Sequence, residues 1–367
     1  MKGDNGMKIS LITIHDVGNN YGSTLQSCAL YRYIQKLGYE VELVDYKPQY
    51  KSLKGRVRTF VVNLMFLVSF LKREKRFKNY YLPYMELTCS HRTYKSLCKN
   101  PPQADVYMVG SDQVWNVTFP CGQDDAYYLN YIDSPNKMSY ASSLGRAFNV
   151  NQLCNLKQKI RNFSYVSVRE RFSSIQLSTV GVNAKYVLDP VFLLSRSEYL
   201  QDVTLPPCKN YLLVYAINED ELLNSVAQRI ALERNLKIVL IGGFAKKIKC
   251  DIFYRSAGPR EFLNLIANAD FVLTSSFHGT AFSLIFNKQF AIVQPKINSL
   301  RIEDMLNSLA ITDRVIKTFD DFEIHKKSID YYIVNQKLDS LIVESKKYLI
   351  HSLRDLESRI MESDLSK

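Results

Sequence analysis

Near its carboxyl third the chain reads Asp270-Phe271-Val272-Leu273-Thr274-Ser275-Ser276-Phe277-His278-Gly279-Thr280-Ala281, and the apolar run Phe282-Ser283-Leu284-Ile285-Phe286 follows. A short hydrophobic strand ends there in two serines, and a histidine and a glycine then open a helix. This layout is typical of an α/β sheet that binds an anion at the amino end of a helix. His278 is therefore predicted to lie where the chemistry of such folds is usually done.

The segments on either side of this stretch alternate between strands and helices. Neighbouring strands are predicted at residues 211–217, 237–241, 271–274 and 290–293, separated by helices near 220–234, 259–267 and 279–287. Residues 201–210 are polar and contain two prolines, which indicates a linker. A second α/β unit therefore begins after this linker.

The amino-terminal half has the same alternation. A strand at 8–14 precedes a helix with Ser23-Thr24-Leu25-Gln26 as its capping box and Gly38 at its end, and a strand at 39–46 follows. Further strands are predicted at 105–110, 137–141, 165–168 and 185–188. Strands that alternate with helices favour a mostly parallel sheet.

Together these patterns predict two Rossmann-like α/β domains facing a cleft, the architecture called GT-B. The predicted domains are residues 7–200, with a basic and apolar helical insertion at 51–80, and residues 209–330. Residues 331–367 form an amphipathic helix that is expected to pack back across the cleft.

Composition excludes several classes of protein. With 367 residues and 46% hydrophobic content, the chain is long enough for two globular domains. It has neither the roughly 18 to 20 consecutive apolar residues of a membrane span nor a secretory signal, so we expect it in the cytoplasm. Its seven cysteines form no Cys-x-x-Cys pair and its five histidines have no metal-ligand spacing, which predicts reduced, mostly packing thiols and no metal.

Polar residues follow several of the predicted strands, where ligands bind in open α/β sheets. Ser111 and Asp112 also suit helix caps, Arg169 could pair with Glu170, and Asp189 before Pro190 is common in turns. For His278, the adjacent Gly279 and the start of a helix favour a functional role over a structural one.

The order of these clusters resembles the polysaccharide pyruvyl transferase family. The resemblance covers most of residues 7–355 and rests on the following segments: Asn20-Tyr21-Gly22, Val109-Gly110-Ser111-Asp112-Gln113-Val114-Trp115-Asn116, Ser139-Tyr140-Ala141-Ser142-Ser143-Leu144-Gly145, Ser167-Val168-Arg169-Glu170, Leu188-Asp189-Pro190, residues 275–281, and Ser299-Leu300-Arg301-Ile302-Glu303-Asp304.

This resemblance implies a transferase that moves a pyruvyl unit from phosphoenolpyruvate onto two hydroxyls of a sugar in a surface or capsular polysaccharide, releasing phosphate. His278 and Arg169 would hold or polarise the donor. Other branches of the family have an arginine two residues before this histidine, where this chain has Ser276, so Arg301 or Arg169 is expected to supply the charge. The implied site residues are catalytic His278, Arg169 and Asp112; donor-binding Ser111, Ser275, Ser276, Gly279, Thr280 and Arg301; and acceptor-binding or supporting Asn20, Tyr21, Glu170 and Asp189.

The implied reaction suits these residue types. Protonation of carbon 3 makes carbon 2 of the enol electrophilic, so the site needs an acid that titrates near neutral pH and cations for a carboxylate and a phosphate. A carboxylate, either Asp112, Glu170 or Asp189, would take the proton from the sugar hydroxyl. Phosphoenolpyruvate is then a co-substrate, and no cofactor is expected. A nucleotide-sugar glycosyltransferase or a non-catalytic glycan-binding protein would have a similar fold.

The positive charge of the chain is concentrated in one segment. Between Lys47 and Lys78 there are ten Lys or Arg residues and one acid, so +9 of the formal +12 lies in 32 residues. Within it, residues 56–76 enclose a mostly apolar stretch between basic clusters, which is compatible with a buried helix or with a helix lying in a membrane interface. The second reading predicts peripheral contact with an anionic membrane that carries a polyprenyl-linked acceptor, and no nucleic-acid partner.

Overall fold

The computed structural model describes residues 6–15, 20–50, 66–201, 208–216, 221–242, 248–295 and 300–365. The chain divides into two compact units. The first unit contains the described residues of Met1–Tyr50, Tyr81–Leu193 and Asp339–Lys367, and the second unit contains those of Lys51–Tyr80 and Leu194–Leu338.

Each unit is built on one parallel sheet, which within the described residues has six strands. The strands of the first unit are β1 Lys8–Ile12, β2 Glu40–Leu43, β3 Val106–Val109, β4 Lys137–Ser139, β5 Phe163–Val168 and β6 Ala184–Tyr186. Those of the second unit are β7 Tyr211–Tyr215, β8 Lys237–Ile241, β9 Ile252–Tyr254, β10 Phe271–Thr274, β11 Phe290–Val293 and β12 Val315–Ile316.

The α-helices of the described residues connect these strands. They are α1 Tyr21–Lys36, α2 Leu67–Tyr81, α3 Tyr94–Lys99, α4 Val150–Lys159, α5 Arg171–Ser178, α6 Arg196–Leu200, α7 Glu221–Arg234, α8 Pro259–Asn268, α9 Phe277–Ile285, α10 Leu300–Leu309 and α11 Tyr331–Leu365. None of the described helices has the length and apolar character needed to cross a membrane.

The central strands are apolar on both faces, as helix-covered parallel strands should be. β3, β7, β10 and β11 are buried at every position. The predicted parallel sheets are therefore confirmed, although β9 and β12 escaped prediction because strands of three and two residues carry almost no periodic signal.

The strand orders identify where ligands are expected to bind. The first sheet runs β2-β1-β3-β4-β5-β6, and the second runs β12-β11-β10-β7-β8-β9, which is the Rossmann order. The strand order reverses between β1 and β3 in the first sheet and between β7 and β10 in the second. Ligands of open α/β sheets bind at the carboxyl ends of the strands beside such a reversal.

Trp115 anchors the core of the first unit. Its side chain is fully buried, its indole Nε1 donates to the carbonyl oxygen of Tyr127 (3.0 Å), and its ring stacks on Tyr128 at 6.3 Å between centroids. The tryptophan five residues after Gly110 thus fixes the loop that follows β3 by packing, and the polar residues before it are left at the strand end.

The segment predicted as an insertion in the amino-terminal domain lies elsewhere. Its described residues, 66–80, belong to the second unit, while residues 51–65 lie outside the described part of the chain. Arg76 explains this placement: its Nε lies 3.1 Å from Glu261 Oε1 and its Nη1 donates to the carbonyl of Ser256 (3.0 Å). Local periodicity predicts a helix but does not indicate which domain the helix joins.

The carboxyl-terminal helix α11 contributes to both units. At its start, the Tyr331 hydroxyl donates to the carbonyls of Ser283 and Lys288 in the second unit. From Asp339 onward it belongs to the first unit, where the Ser345 hydroxyl accepts from the backbone N–H of Leu188 (2.9 Å). The apolar face predicted for this helix is confirmed at Leu338, Leu349, Leu353 and Leu356, all of which are buried.

The cysteines are less uniformly buried than predicted. Burial raises the pKa of the Cys28 and Cys121 thiols to about 12 in each case. Cys89, Cys98 and Cys154 are exposed, so these three are not packing residues.

Candidate active site

The first cluster of predicted site residues lies at the carboxyl edge of the first sheet. Isolated parallel bridges join Asp112 to Ser142 and Ser142 to Val168, the last residue of β5, which extends the sheet beyond the ends of β3 and β4. These bridges place Asp112 beside Arg169, although the two residues are 57 positions apart in sequence. Residues that follow separate strands thus meet at one edge of the sheet.

Arg169 is enclosed by three carboxylates. Its guanidinium nitrogens lie 2.6 Å from Asp189 Oδ2, 3.3 Å from Asp112 Oδ1 and 3.6 Å from Glu170 Oε1, and its side chain has no exposed surface. Burial works against the positive charge, but the three carboxylates outweigh it and raise the pKa of Arg169 above its ordinary value. This geometry favours a residue that positions carboxylates over one that contacts the donor.

Asp112 keeps the most solvent access of these three carboxylates, with 13% of its side chain exposed against 0% for Asp189 and 1% for Glu170. The Ser23 hydroxyl donates to its Oδ2 (2.8 Å), and the backbone N–H of Gln113 donates to its Oδ1 (2.9 Å). The backbone of Asp112 has φ of +71°, a conformation that costs energy for residues other than glycine and recurs at functional sites. Asp112 is thus a fixed carboxylate that solvent reaches.

The other two carboxylates have structural partners. Asp189 Oδ2 accepts from the Ser111 hydroxyl (3.2 Å), and its Oδ1 caps the turn at Val191 N (3.1 Å). Glu170 accepts from the hydroxyls of Ser143 and Ser173. Glu170 and Asp189 therefore hold Arg169 in place, and Ser111 fixes Asp189. Through Arg169 they also help to position Asp112.

Asn20 and Tyr21 have roles in helix α1. The Asn20 side chain caps α1 by accepting from the backbone N–H groups of Gly22 (2.9 Å) and Ser23 (3.3 Å), and the Tyr21 side chain is buried. The predicted capping box at 23–26 is therefore wrong, because the helix begins earlier, at Tyr21. Ser23 is released from capping and instead reaches Asp112.

The second cluster lies at the carboxyl edge of the second sheet, where β10 runs into α9. Ser276 is the N-cap of α9 and accepts from Gly279 N (3.4 Å), and the Thr280 hydroxyl donates to the carbonyl of Ser276 (3.0 Å). A Cβ atom on Gly279 would lie 2.3 Å from Thr274 Oγ1 and 3.0 Å from the Tyr215 ring. Glycine is therefore required here because the helix starts in contact with β7 and β10.

His278 and Arg301 flank the first residue of α9. The His278 ring meets the Phe277 ring edge-to-face at 5.2 Å, and the Arg301 guanidinium lies 5.6 Å from the centroid of the same ring. Both side chains are more than nine-tenths buried. An imidazole and a guanidinium at a helix amino terminus form an arrangement that attracts anions. Ser299, part of the predicted Arg301 segment, lies outside the described residues.

Three residues at these edges were not predicted. Ser23 orients Asp112, the Tyr215 ring packs against Gly279 at the start of α9, and Arg73 is buried on α2. From the sequence alone, Arg73 is treated only as part of a basic cluster. Its spacing with Phe77 and Tyr80 predicts that the three residues share one face of a helix, and in the structure all three are buried.

Comparisons with known proteins identify the family of the chain. A family model described as Polysaccharide pyruvyl transferase matches residues 20–296. The chain therefore belongs to the polysaccharide pyruvyl transferase family. A search of curated proteins by sequence found no significant match.

Solved structures with a similar fold support a GT-B-like assignment. UDP-N-acetylglucosamine 2-epimerase from Rickettsia bellii is 14% identical with a TM-score of 0.54, and the alignment covers 99% of this chain and 100% of that one. The Neisseria meningitidis UDP-GlcNAc 2-epimerase bound to UDP-GlcNAc is 10% identical, with a TM-score of 0.52 and coverage of 98% and 100%. An alpha-glucosyltransferase in complex with UDP is 9% identical, with a TM-score of 0.50 and coverage of 97% and 100%. At such identities the likeness shows the two-domain α/β fold alone.

Proposed function

We propose that this protein transfers the pyruvyl group of phosphoenolpyruvate to two hydroxyls of a sugar, forming a pyruvate ketal and releasing inorganic phosphate. A proton adds to carbon 3 of the donor, and carbon 2 accepts one sugar oxygen. The carbon–oxygen bond to phosphate then breaks, and the second sugar oxygen takes its place. Both hydroxyl protons leave the sugar, so the products are one ketal and one phosphate.

The observation that carries this proposal is the pair of basic side chains at the amino end of α9. The family to which the chain belongs supports it as well. His278 and Arg301 flank Phe277 there, and Ser275 and Ser276 precede it. Phosphoenolpyruvate presents a carboxylate and a phosphate, which a guanidinium and backbone N–H groups bind well. We assign His278 the protonation of carbon 3, because histidine is the side chain that changes charge near neutral pH.

The carboxylate that accepts the sugar proton is assigned to Asp112. A general base needs an exposed oxygen within reach of the hydroxyl, and the oxygens of Glu170 and Asp189 are buried against serines and Arg169. Arg169 acts through Asp112 as a positioning residue. Asn20 and Tyr21 support this edge through the start of α1.

The exposed face of α2 supports a peripheral membrane location for the reaction. Leu67, Val68 and Leu71 are 44%, 66% and 52% exposed, and Lys72 and Lys75 lie among them. An aliphatic and cationic surface of this kind suits an anionic leaflet, where a polyprenyl-linked sugar would be presented. The acceptor is accordingly proposed to be lipid-linked.

The direct test is to incubate the purified protein with phosphoenolpyruvate and a panel of free and lipid-linked hexosides. Phosphate release that requires the sugar, together with a new ketal methyl signal in the proton NMR spectrum of the product, is expected. Transfer of a sugar from a UDP-sugar without any ketal would favour a glycosyltransferase, and glycan binding without either product would favour a binding protein.

A further inference from the structure

Two adjacent cavities lie at the amino edge of the first sheet. The smaller cavity, of about 270 Å³, is lined by Lys137, the first residue of β4, and by Phe163, the first residue of β5. The larger cavity, of about 560 Å³, shares Phe163 and Arg161 with it. Both cavities lie where strands begin, whereas Asp112 and its partners follow strand ends, so they are separate from the candidate active site.

The two cavities have cationic walls. Lys137 and Lys159 line the smaller cavity, and Lys157 and Lys185 line the larger one. Arg161 lines both. Among the residues that the structure describes, neither cavity is lined by an aspartate or a glutamate. The walls thus favour a negatively charged ligand.

Three of the five cations have partners within the protein. Lys157 Nζ donates to a backbone carbonyl (2.8 Å). Lys159 Nζ lies 2.8 Å from Asp125 Oδ1, and Lys185 Nζ lies 3.8 Å from Glu344 Oε2. These three lysines need no ligand to account for their positions, so the argument for one depends on the other two cations.

Lys137 is buried without a partner. The residue is 5% exposed, and within the described part of the chain its ammonium makes no hydrogen bond or ion pair. Burial lowers its pKa, and the charge of Asp133, an exposed residue, offsets only part of this effect. The pairing of β4 with β5 shifts in register between Lys137 and Met138, an irregularity that re-aims side chains. A buried ammonium is costly unless a negative group meets it, so Lys137 on a cavity wall indicates an anionic ligand.

Arg161 is the second cation of the smaller cavity that lacks a partner among the described residues. It lies in the turn between α4 and β5 and is exposed. Its planar guanidinium suits a two-pronged contact with a carboxylate. Lys137 and Arg161 together therefore offer two free cations to one anionic group.

The rest of the walls suits a sugar. Asn130, Gln158 and Asn162 line the smaller cavity, and amides both donate and accept hydrogen bonds, as sugar hydroxyls do. The half-buried rings of Phe163 and Tyr165 add apolar surface to the larger cavity. Two cavities that share a wall can hold neighbouring residues of one chain, and the family of this protein acts on polysaccharides.

We propose that these two cavities form a second binding site, for an acidic polysaccharide. Lys137 and Arg161 bind the carboxylate of one sugar residue in the smaller cavity, and the neighbouring sugar lies in the larger one. The site does not depend on the proposed reaction. A pyruvate ketal would nevertheless place a carboxylate on the sugar, so a product of that reaction would belong to the same class of ligand.

The test measures the binding of tetragalacturonate, an acidic tetrasaccharide, by calorimetry at fixed ionic strength, with galactotetraose as the uncharged counterpart. The wild type should bind tetragalacturonate, and at least about 10-fold more tightly than galactotetraose. Lys137→Met should weaken the binding of tetragalacturonate by about 10- to 100-fold, the usual effect of a lost charge-assisted hydrogen bond. The matched control Lys95→Met, which removes an exposed charge on α3 of the same unit, should bind like wild type.

Urea unfolding separates a binding role of Lys137 from a structural one. Lys137→Met should be at least as stable as wild type, because it removes a buried charge that has no partner in the described protein. A lower urea midpoint for this variant would make the lysine a structural residue and would overturn the proposal.

Other outcomes also decide the proposal. It is overturned if the wild type does not bind tetragalacturonate, or if Lys137→Met and Arg161→Met both bind it like wild type. Tighter binding of an oligothymidylate of equal charge, dependent on Lys137, would make the site one for nucleic acid and would overturn the saccharide assignment. Binding of tetragalacturonate that depends on Lys137, without ketal formation from any sugar, would refute the pyruvyl transfer and leave this site standing.

Discussion

The two sheets place opposite charges at equivalent positions. At the carboxyl edge of the first sheet, three carboxylates surround the single guanidinium of Arg169. At the carboxyl edge of the second, His278 and Arg301 lie against Phe277 at the start of α9. Two parallel sheets of the same class therefore offer an acidic edge and a basic one, and the chemistry depends on the side chains rather than on the fold.

The contrast matches two different demands of the proposed ketal formation. A sugar hydroxyl must lose a proton, which a fixed carboxylate can accept, and an anionic donor must be bound and protonated, which cations and an imidazole can do. In the first unit the arginine is a structural counter-ion, and in the second Arg301 is assigned to the donor. The following predictions test this contrast, from the largest expected effect to the smallest.

Replacing Arg169 by Met should destabilise the protein by about 3–5 kcal/mol, because buried carboxylates lose their counter-ion. Arg171→Met, on the exposed surface two residues later, should cost less than about 1 kcal/mol. Urea unfolding measures both variants. A small loss of stability for Arg169→Met, accompanied by a large rise in the KM for phosphoenolpyruvate, would show that Arg169 binds the donor instead.

His278→Ala should reduce pyruvyl transfer by ~10²-fold or more through loss of general acid catalysis. The kcat for ketal formation measures this effect, and thermal unfolding checks that the variant is folded. Turnover close to wild type would make His278 a structural residue and would leave the basic edge without its proposed acid.

Asp112→Asn should lower kcat by up to about 10²-fold, because asparagine accepts no proton. Donor binding should stay intact, because asparagine tolerates the positive φ of this position. Asp112→Gly relieves the backbone strain but loses the contacts with Ser23 and Arg169, and it should be equally inactive. Kinetics and urea unfolding of both variants test the assignment. If Asp112→Asn keeps full activity, the base is another group.

Replacing Lys72 and Lys75 together by Gln should weaken sedimentation with anionic vesicles by about 1 kcal/mol for each lysine at low salt. Lys185→Gln, a half-exposed lysine of the first unit, serves as the control and should change nothing. Anion binding at the basic edge should be unaffected, since both lysines are exposed. Equal vesicle binding by the double variant, or none by the wild type, contradicts the membrane proposal alone.

The sequence was sufficient to predict the elements that carry strong local signals. Apolar runs predicted most strands, the helix-opening His278-Gly279 pair marked the basic edge, and Ser111, Asp112, Arg169 and Asp189 were recognised because each follows a strand. The sequence predicted less well which partner a given side chain contacts. Asn20 replaced Ser23 as the cap of α1, since residue types that cap helices occur at both positions and local preference does not separate them.

By itself, the sequence determined the family, the α/β alternation and the positions of polar residues at strand ends, because these depend on local order along the chain. Only the tertiary structure decided that Arg169 pairs with three carboxylates, that Ser23 reaches Asp112 and that Arg76 of α2 reaches Glu261. Each of these contacts joins residues separated by one or more elements, or places one face of a helix against a sheet from another part of the chain. Their energies depend on burial and distance in three dimensions, which residue order does not specify.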